Sequence, residues 1–466
     1  MSADPPASGE PLRLVVVGGG FTGAVLAIHA ARASAAPLDI VVLEPAAELG
    51  RGIAYGAAAP GHRMNVPSDR MDIDRARSGA ATGWFRDHGI LPDAESDDGT
   101  GRCYVARLAY GAYVGDLLAR TVAEAGARVR VRHLRTLATG VAPMGSGWRV
   151  ACDTGEVLDA DRVALCLTHA TPGLPCRLEP GVAEARKFVP DPWAPRALAD
   201  IAADDAVLVV GTGLTMADVV TGLTAAGHAG VITAVSRRGL LPRAHGVFVT
   251  DLDVLGGPPP RTALGLLRLV RRRIRTLDPA LGWHPVIDSL RAVLTAAWNA
   301  LPPVEQRRTV RRLLPFWDVH RFRIAPQIEA ALNRARASGQ LRIKRAAVTG
   351  LARGADGFVA TLRPPGGTPA THAFDAVILC TGPGRDLTAS PLIATLLEAG
   401  TVRLDAAGLG LAVDPMSRAF NAAGRPQRGL HVFGPLTRGS FGEMTGAPDI
   451  AVHIEAVVHA LLDDRN

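Results

Sequence analysis

Near its N-terminus the chain reads Leu12-Arg-Leu-Val-Val-Val-Gly18-Gly-Gly20-Phe-Thr-Gly23, an apolar run followed by three spaced glycines. The first glycine allows a tight turn, the second lets the backbone approach a pyrophosphate, and the third lets a helix pack close to the strand. The free N–H groups and positive dipole end of that helix would face the phosphates. Glu44 ends the next apolar strand, where a carboxylate can accept hydrogen bonds from ribose hydroxyls. The stretch therefore predicts a dinucleotide-binding α/β domain.

A second copy of the pattern reads Ala206-Val-Leu-Val-Val-Gly211-Thr-Gly213-Leu-Thr-Met216. Met216 stands where a third small residue is expected, so this helix should sit slightly further from its strand. The next strand ends in Ser236-Arg237-Arg238, where no acid is available for a ribose diol. A serine and two arginines would instead hold the extra phosphate of NADPH, although a solvated basic loop is the alternative. Two copies imply two dinucleotides in one protein, an arrangement that suits hydride transfer from a nicotinamide to a flavin.

Composition limits the classes of function. The chain has 466 residues, of which 48% are hydrophobic, enough for two or three domains. No apolar run approaches the roughly 18 residues that cross a bilayer, and residues 1–6 show no secretory signal, so cytoplasmic residence is expected. Five cysteines without a Cys-x-x-Cys argue against a disulfide reductase and a zinc ribbon. The net charge of +7 comes without a nucleic-acid motif, which favours an acidic small substrate or simple solubility.

A weak internal repeat supports the reading of two nucleotide domains. Residues 128–170 and 341–383 each predict a strand, a short hairpin of alternating residues and a final apolar strand. Chance similarity between β-rich segments is the alternative. Residues 255–335 have a helical pattern rich in arginine, which indicates an insertion. Because basic helical faces are usually solvated, no functional role is expected for most of these arginines.

The predicted fold class is α/β, with two Rossmann-like dinucleotide-binding domains, for FAD and NADPH, each with a β-meander, plus a helical insertion. The FAD-binding domain is expected to be discontinuous, over 1–190 and 375–466. The NADPH-binding domain is expected over 195–374, with the Arg-rich helical insertion at 255–335.

The motifs resemble those of a known group. Gly18 to Gly23, Glu44 to Tyr55 and His62 to Pro67 resemble the bacterial FAD–NAD(P)-binding proteins related to flavin-dependent aspartate N-monooxygenase and urate hydroxylase. Later segments match the same group in order, at 191–193, 211–218, 236–245 and 317–321. The resemblance therefore spans nearly the whole chain.

The resemblance implies two sets of cofactor-binding residues. FAD would be held by Gly18, Gly19, Gly20, Phe21, Thr22, Gly23, Glu44, Arg51, Asn65, Gly434 and Leu436. NADPH would be held by Gly211, Thr212, Gly213, Leu214, Thr215, Ser236, Arg237 and Arg238, with His245 close to its phosphate or nicotinamide ribose. Pro435 replaces the aspartate that usually ends the C-terminal flavin segment.

The resemblance also implies the chemistry. NADPH would reduce the flavin, and oxygen would then give a C4a-hydroperoxyflavin that hydroxylates a small amine, amino acid or heterocycle. Candidate substrate anchors are His320, Arg321 and Arg323, with an exposed basic turn as the alternative. An NADPH-dependent flavin reductase without oxygen insertion and a non-catalytic flavin-binding redox sensor are the competing hypotheses. The expected partners are a small-molecule substrate and oxygen, with no metal, nucleic acid or membrane. The residues do not identify the substrate or the oligomeric state, and a homo-oligomer is one of the states that stay open.

Overall fold

The structure is a computed structural model that describes residues 10–57, 59, 61–170, 172–249 and 251–463. The N-terminal residues used to exclude a secretory signal lie outside this part of the chain. The α-helices of the described residues are α1 (Phe21–Ala33), α2 (Gly52–Gly56), α3 (Ala80–Asp87), α4 (Arg107–Ala125), α5 (Leu214–Ala225), α6 (Ala263–Thr276), α7 (His284–Ala292), α8 (Leu294–Asn299), α9 (Pro303–Arg312), α10 (Leu314–Arg321), α11 (Pro326–Ala337), α12 (Pro391–Glu398), α13 (Arg438–Phe441) and α14 (Ala447–Asp463).

The strands form two mainly parallel sheets and two small antiparallel sheets. Their bounds are β1 (Leu12–Val17), β2 (Leu38–Leu43), β3 (Val129–Leu134), β4 (Ala138–Met144), β5 (Gly147–Cys152), β6 (Val157–Ala160), β7 (Arg162–Leu165), β8 (Phe188–Val189), β9 (Val207–Val210), β10 (Ile232–Ser236), β11 (Leu341–Arg345), β12 (Ala347–Arg353), β13 (Phe358–Arg363), β14 (Ala370–Phe374), β15 (Ala376–Leu379), β16 (Arg418–Phe420) and β17 (Pro426–Val432).

The first domain is built on a sheet of order β16-β17-β7-β1-β2-β3. β1 lies at its centre, parallel to both β2 and β7. Its last four residues are all buried, as expected for a parallel strand covered on both faces. Helix α1 packs against both α4 and α14, so helix α14 belongs to the same domain as strand β1.

The second domain repeats this plan with a sheet of order β11-β10-β9-β15-β8. β9 is parallel to β10 on one side and to β15 on the other. Helix α5 follows β9 directly and packs against α11. The apolar strand before the second glycine turn therefore occupies the same central place as β1.

Each domain carries a three-stranded antiparallel sheet inserted before a returning parallel strand. In the first domain β4, β5 and β6 precede β7, and in the second β12, β13 and β14 precede β15. Each returning strand pairs with the central strand of its own domain. The predicted two-domain fold with paired β-meanders is confirmed.

The domain boundaries differ from those predicted. Strands β8 and β15 both belong to the second sheet, so the second domain starts before residue 190 and continues past residue 375. An apolar run such as Ala376–Leu379 fits either sheet by composition, and only its long-range pairing with β9 decides. Helices α6 to α11 lie at residues 263–337 between β10 and β11, and the helical insertion was predicted over 255–335.

No helix in the described part of the chain is long and apolar enough to span a membrane.

Candidate active site

The first glycine turn has the close contacts that its spacing predicts. Gly18 has φ +99°, and a Cβ there would lie 2.6 Å from the main-chain oxygen of Cys166 at the end of β7. A Cβ at Gly23 would lie 1.9 Å from the Gly18 oxygen, so only glycine lets α1 approach its strand this closely. The amides of Phe21, Thr22 and Gly23 open the helix, because the first intrahelical bond is donated by Ala24 to Gly20. These amides are free to bind an anion.

Glu44 lies beside this turn, just past the end of β2. Its two carboxylate oxygens accept hydrogen bonds from the amides of Gly19, over 2.9 Å, and Ala46, over 3.0 Å. A carboxylate has about four acceptor positions, so each oxygen keeps one for a ribose hydroxyl. Arg51 forms an ion pair with Glu48 and donates to the Leu108 carbonyl over 3.4 Å.

The C-terminal segment meets the same helix start. Gly434 has φ +75°, and a Cβ there would lie 2.6 Å from the Thr22 hydroxyl oxygen. Leu436 is buried in the short 3-10 turn Gly434–Thr437, and its carbonyl accepts a hydrogen bond from Leu411 over 2.8 Å. The structure therefore brings the two predicted flavin segments together although they lie at opposite ends of the chain.

The second glycine turn is tight at the strand and open toward solvent. Gly211 has φ +127°, and a Cβ there would lie 1.9 Å from the oxygen of Cys380. A Cβ at Gly213 would meet no atom within 4 Å, so space lies over the start of α5. Met216 is fully buried in the position that a small residue occupies in the first turn.

The end of β10 is organised by hydroxyl groups. The Thr212 hydroxyl donates to the Leu240 carbonyl over 2.5 Å, so it must accept from Ser236, whose oxygen lies 2.8 Å away. Ser236 also accepts from the amide of Gly239 over 2.9 Å. Because Ser236 donates its hydroxyl proton to Thr212, it has no proton left to donate to a phosphate. Arg237 is exposed and Arg238 lies 5.8 Å from the ring of Phe316, which leaves these two guanidinium groups as the donors.

A cavity of about 460 Å³ lies where the two domains and the helical insertion meet. The first domain contributes residues near Asn65 and the start of α14, and the second contributes Leu214 and Thr215 at the start of α5. The insertion contributes the ends of α7 and α10. Predicted residues from both cofactor sets therefore line one space, together with the predicted anchor Arg321.

Among the described residues five arginines line this cavity, and four of them form ion pairs with a total of three carboxylates. Arg107 binds Asp218 across the domain boundary over 2.9 Å. Arg323 holds Asp288 with two hydrogen bonds of 3.1 and 2.8 Å. Arg291 and Arg321 share the carboxylate of Asp449 at 2.9 and 2.5 Å, and these two cations keep the Asp449 pKa below its usual value despite its burial.

Arg70 is the exception. Its guanidinium carbon lies 3.8 Å from the centre of the Phe248 ring, a cation–π contact between the two domains. Within the described residues it makes no ion pair, and burial lowers its pKa from the usual arginine value without neutralising it. Because a cation–π contact does not cancel the charge, Arg70 supplies the cavity with a cation that contacts no carboxylate among the described residues, in addition to the positive charge left where Arg291 and Arg321 share Asp449.

His245 is the cavity's imidazole. Its Nε2 donates a hydrogen bond to the Asn65 carbonyl over 3.0 Å, which leaves Nδ1 as the ring acceptor. Burial, reinforced by the nearby Arg323 charge, lowers the pKa of His245 to about 4. The ring is therefore neutral at physiological pH.

The predicted anchors lie in different surroundings. Arg321 and Arg323 line the interdomain cavity, but they are 8% and 4% exposed and bound to carboxylates. His320 lines a separate apolar cavity, and its Nδ1 donates to the Phe316 carbonyl over 2.6 Å. The structure therefore separates His320 from Arg321, although they are neighbours in sequence.

Sequence reasoning missed Arg70, Phe248 and the Arg107–Asp218 pair. Arg70 follows the family-like segment that ends at Pro67, and this proximity was the one local signal for it. Phe248 lies in an irregular loop, and its contact with Arg70 joins the two domains, which no local pattern reveals. Arg345, which pairs in register with Ser236 at the edge of the second site, was also missed.

Comparisons with known proteins agree with the fold. A sequence-family model described as FAD-NAD(P)-binding matches residues 15–170, the segment with the first glycine turn and the first meander. No curated protein has a significantly similar sequence.

Solved structures align over nearly the whole chain. An ornithine N-hydroxylase from a Kutzneria species, solved with reduced FAD, NADP+ and L-ornithine, is 16% identical with a TM-score of 0.63, covering 98% of this chain and 100% of that one. The fold of this chain matches that of the hydroxylase. L-lysine 6-monooxygenase from Pseudomonas syringae is 17% identical with a TM-score of 0.63 and the same coverage. The FAD-bound cadaverine monooxygenase from Erwinia amylovora is 13% identical with a TM-score of 0.64, covering 98% and 95%.

Proposed function

We propose that the protein is a single-component, NADPH-dependent FAD monooxygenase that hydroxylates a small amine, amino acid or heterocycle. The observation that carries the proposal is the single 460 Å³ cavity shared by Asn65 of the first domain and Leu214 and Thr215 of the second. Two dinucleotide sites that open on one space allow a nicotinamide and a flavin ring to meet. The family model and the named chemistry of the similar structures support the proposal.

The first site fits FAD. Close contacts at Gly18 and Gly23 leave the α1 amides facing outward, where a pyrophosphate would accept their hydrogen bonds. Glu44 has acceptor positions left for the ribose hydroxyls of the adenosine half. Gly434 brings the C-terminal turn onto Thr22, where a side chain would fill the space.

The second site fits NADPH. The open space over Gly213 leaves the start of α5 accessible to a pyrophosphate. Arg237 and Arg238 would hold the 2′-phosphate, with Arg345 beside them across the sheet. Ser236 and Thr212 fix the loop that presents these guanidinium groups.

Bound FAD, reduced by NADPH, would supply the oxygen-activating chemistry, and the protein would supply orientation and exclusion of water. Trp193, Phe248 and Phe322 give the cavity apolar walls. The Arg107–Asp218 pair joins α4 to α5 and keeps the two domains in register. Neutral His245 adds no positive charge beside Asn65.

We assign the substrate anchor to Arg70. Each of the other four cavity arginines already contacts a carboxylate, so among the described residues Arg70 is the one whose guanidinium can donate to a substrate carboxylate or an anionic heterocycle without displacing an ion pair. This assignment replaces His320 and agrees with the resemblance to enzymes acting on aspartate and urate. Arg321 and Arg323 become groups that shape the cavity wall.

The test starts from the purified protein, which should be yellow and should be bleached by NADPH under anaerobic conditions. Oxygen labelled with 18O is then admitted with a panel of amino acids and purines. The proposal predicts one labelled, hydroxylated product formed in proportion to NADPH used. Bleaching followed by peroxide release with every substrate would favour the reductase, and a protein that keeps its colour under NADPH would favour the sensor.

The thiols support a proposal for the cellular setting. All five cysteines are free, which suits a reducing compartment, and we place the protein in the cytoplasm. Its proposed partners are the small-molecule substrate and oxygen.

A further inference from the structure

A second cavity lies within the helical insertion, outside the proposed active site. Its volume is about 340 Å³, far larger than the voids of an ordinary protein interior and within the range of small-molecule sites. Helices α6 to α10 all contribute to its walls. Helix α10 separates the two cavities, because Trp317 lines this one and Arg321 lines the interdomain cavity.

The walls are almost entirely apolar. They include Leu266, Val270, Leu290, Leu294 and Trp298. Such a surface excludes water well and fits a hydrocarbon chain, since each buried methylene contributes favourably.

A few polar groups interrupt this lining. Arg271 is an exposed cation with no ion pair among the described residues. Thr309 also lines the cavity, but its hydroxyl oxygen is buried and has no surface exposed to the cavity. His320, the third polar group, already donates its Nδ1 proton to Phe316.

The charge around the cavity selects the kind of head group. Helix α6 carries five arginines and no acidic residue, and α9 carries four arginines and one glutamate, whereas the whole chain has a net charge of only +7. Glu305 is already paired with Arg308. The exposed ring of Phe316 lies at the lining itself, so the apolar cavity reaches the surface beside this basic face.

We propose that this cavity binds an anionic amphiphile, specifically a fatty carboxylate. Its chain lies against the apolar walls, and its carboxylate accepts hydrogen bonds from Arg271. The arginines of α6 and α9 attract the head group and favour it over a neutral or cationic one. This site is independent of the proposed oxygen chemistry and does not require FAD or NADPH to be bound.

The test measures binding of dodecanoate, below its micelle-forming concentration, to the protein as purified, by equilibrium dialysis and by the fluorescence of the cavity tryptophans. We expect saturable binding of one dodecanoate per chain, weaker binding of dodecanol and no binding of butyrate. Arg271→Gln should weaken dodecanoate binding about fivefold and leave dodecanol unchanged. The matched control Arg275→Gln removes an exposed arginine of the same helix that does not line the cavity, and it should change binding little.

Val270→Trp should fill the cavity and abolish binding of both dodecanoate and dodecanol, and an unchanged melting temperature will show that the variant folds. If Val270→Trp does not fold, the comparison of Arg271→Gln with Arg275→Gln decides alone. Absence of saturable dodecanoate binding would overturn the proposal, and so would equal losses in the two arginine variants. Adsorption to anionic phospholipid vesicles that persists in Val270→Trp, without dodecanoate binding, would assign the basic face to a membrane surface instead.

Discussion

The imidazole Nε2 of His245 donates a hydrogen bond to the main-chain oxygen of Asn65 over 3.0 Å, joining the second domain to the first at the cavity. A histidine that must stay neutral in the folded state binds its proton more weakly than the same histidine in the unfolded chain. Burial lowers the pKa of His245 to about 4, against 6.5 when exposed. Stability from this residue is therefore fully present above about pH 6.5 and is lost as the pH falls toward 4.

We expect His245→Gln to reduce this acid sensitivity. A glutamine amide can still donate to Asn65 but does not titrate, so the variant should lose roughly 2–3 kcal/mol less stability than the wild type between pH 7 and pH 4. Urea unfolding at several pH values measures the difference. His169 and His453, whose pKa values are also lowered to about 4, titrate equally in both proteins. Parallel stability curves for the two proteins would contradict the prediction.

The basic end of β10 should set the choice of nicotinamide cofactor. Replacing Arg237 and Arg238 with glutamine removes the charged donors proposed for the 2′-phosphate, each worth about 1.5–3 kcal/mol when the contact is well formed. The KM for NADPH should rise at least tenfold, while the KM for NADH should stay nearly constant. Arg334→Gln, an exposed arginine of α11, is the control. Equal effects on the two nucleotides would remove the assignment.

Substitutions in the two glycine turns should impair the binding of different cofactors. Gly18→Ala places a Cβ 2.6 Å from the Cys166 oxygen at φ +99°, so the protein should be purified without flavin colour. Gly211→Ala places one 1.9 Å from the Cys380 oxygen, so that variant should stay yellow but resist bleaching by NADPH. Absorbance spectra before and after anaerobic NADPH addition distinguish the two. Gly83→Ala in α3, where a Cβ meets nothing within 4 Å, should behave like the wild type. Loss of flavin from both turn variants would speak against separate sites.

Arg70 should govern substrate affinity. Arg70→Gln removes the unpaired cavity cation, and the KM for an anionic substrate should rise about tenfold with little change in flavin content. Arg102→Gln is the matched control, because its guanidinium lies 4.6 Å from the same Phe248 ring but the residue does not line the cavity. Steady-state oxygen consumption provides the readout. A KM unaffected by Arg70→Gln would return the anchor to Arg321 or Arg323.

The buried pair Arg323–Asp288 should matter for stability. Both residues are 4% exposed, so Asp288→Asn leaves a buried guanidinium without its counter-charge and should cost about 3–5 kcal/mol. The exposed pair Arg149–Asp159 is the control, and Asp159→Asn should change stability little. Urea unfolding of both variants checks this, and equal midpoints would contradict it.

The sequence predicted what is encoded locally. An apolar strand, a glycine turn and a helix are adjacent in the chain, so Gly18 and Gly211 identified both central strands. Alternating residues in two separate segments of the chain predicted the two β-meanders. Gly434 and Glu44 also lie near the turn to which they were assigned, although only Glu44 is close to it in sequence.

The parts that sequence did not predict depend on tertiary packing. His320 and Arg321 are consecutive on a helix, where successive side chains point about 100° apart, and this rotation sends them into different cavities. The Arg70–Phe248 contact crosses the domain boundary, and the ion pair of Arg321 requires Asp449 from the C-terminal helix. The ends of the domains depended on whether Ala376–Leu379 pairs with β7 or with β9, which is a long-range choice.

The most direct test of two separate dinucleotide sites is a calorimetric titration of the FAD-loaded protein with NADP+, with the flavin spectrum recorded at each step. We expect one NADP+ bound per chain, one FAD retained per chain throughout and a small shift of the flavin absorbance as the two rings meet. Displacement of FAD by NADP+, or binding of NADP+ only to the flavin-free protein, would contradict this expectation.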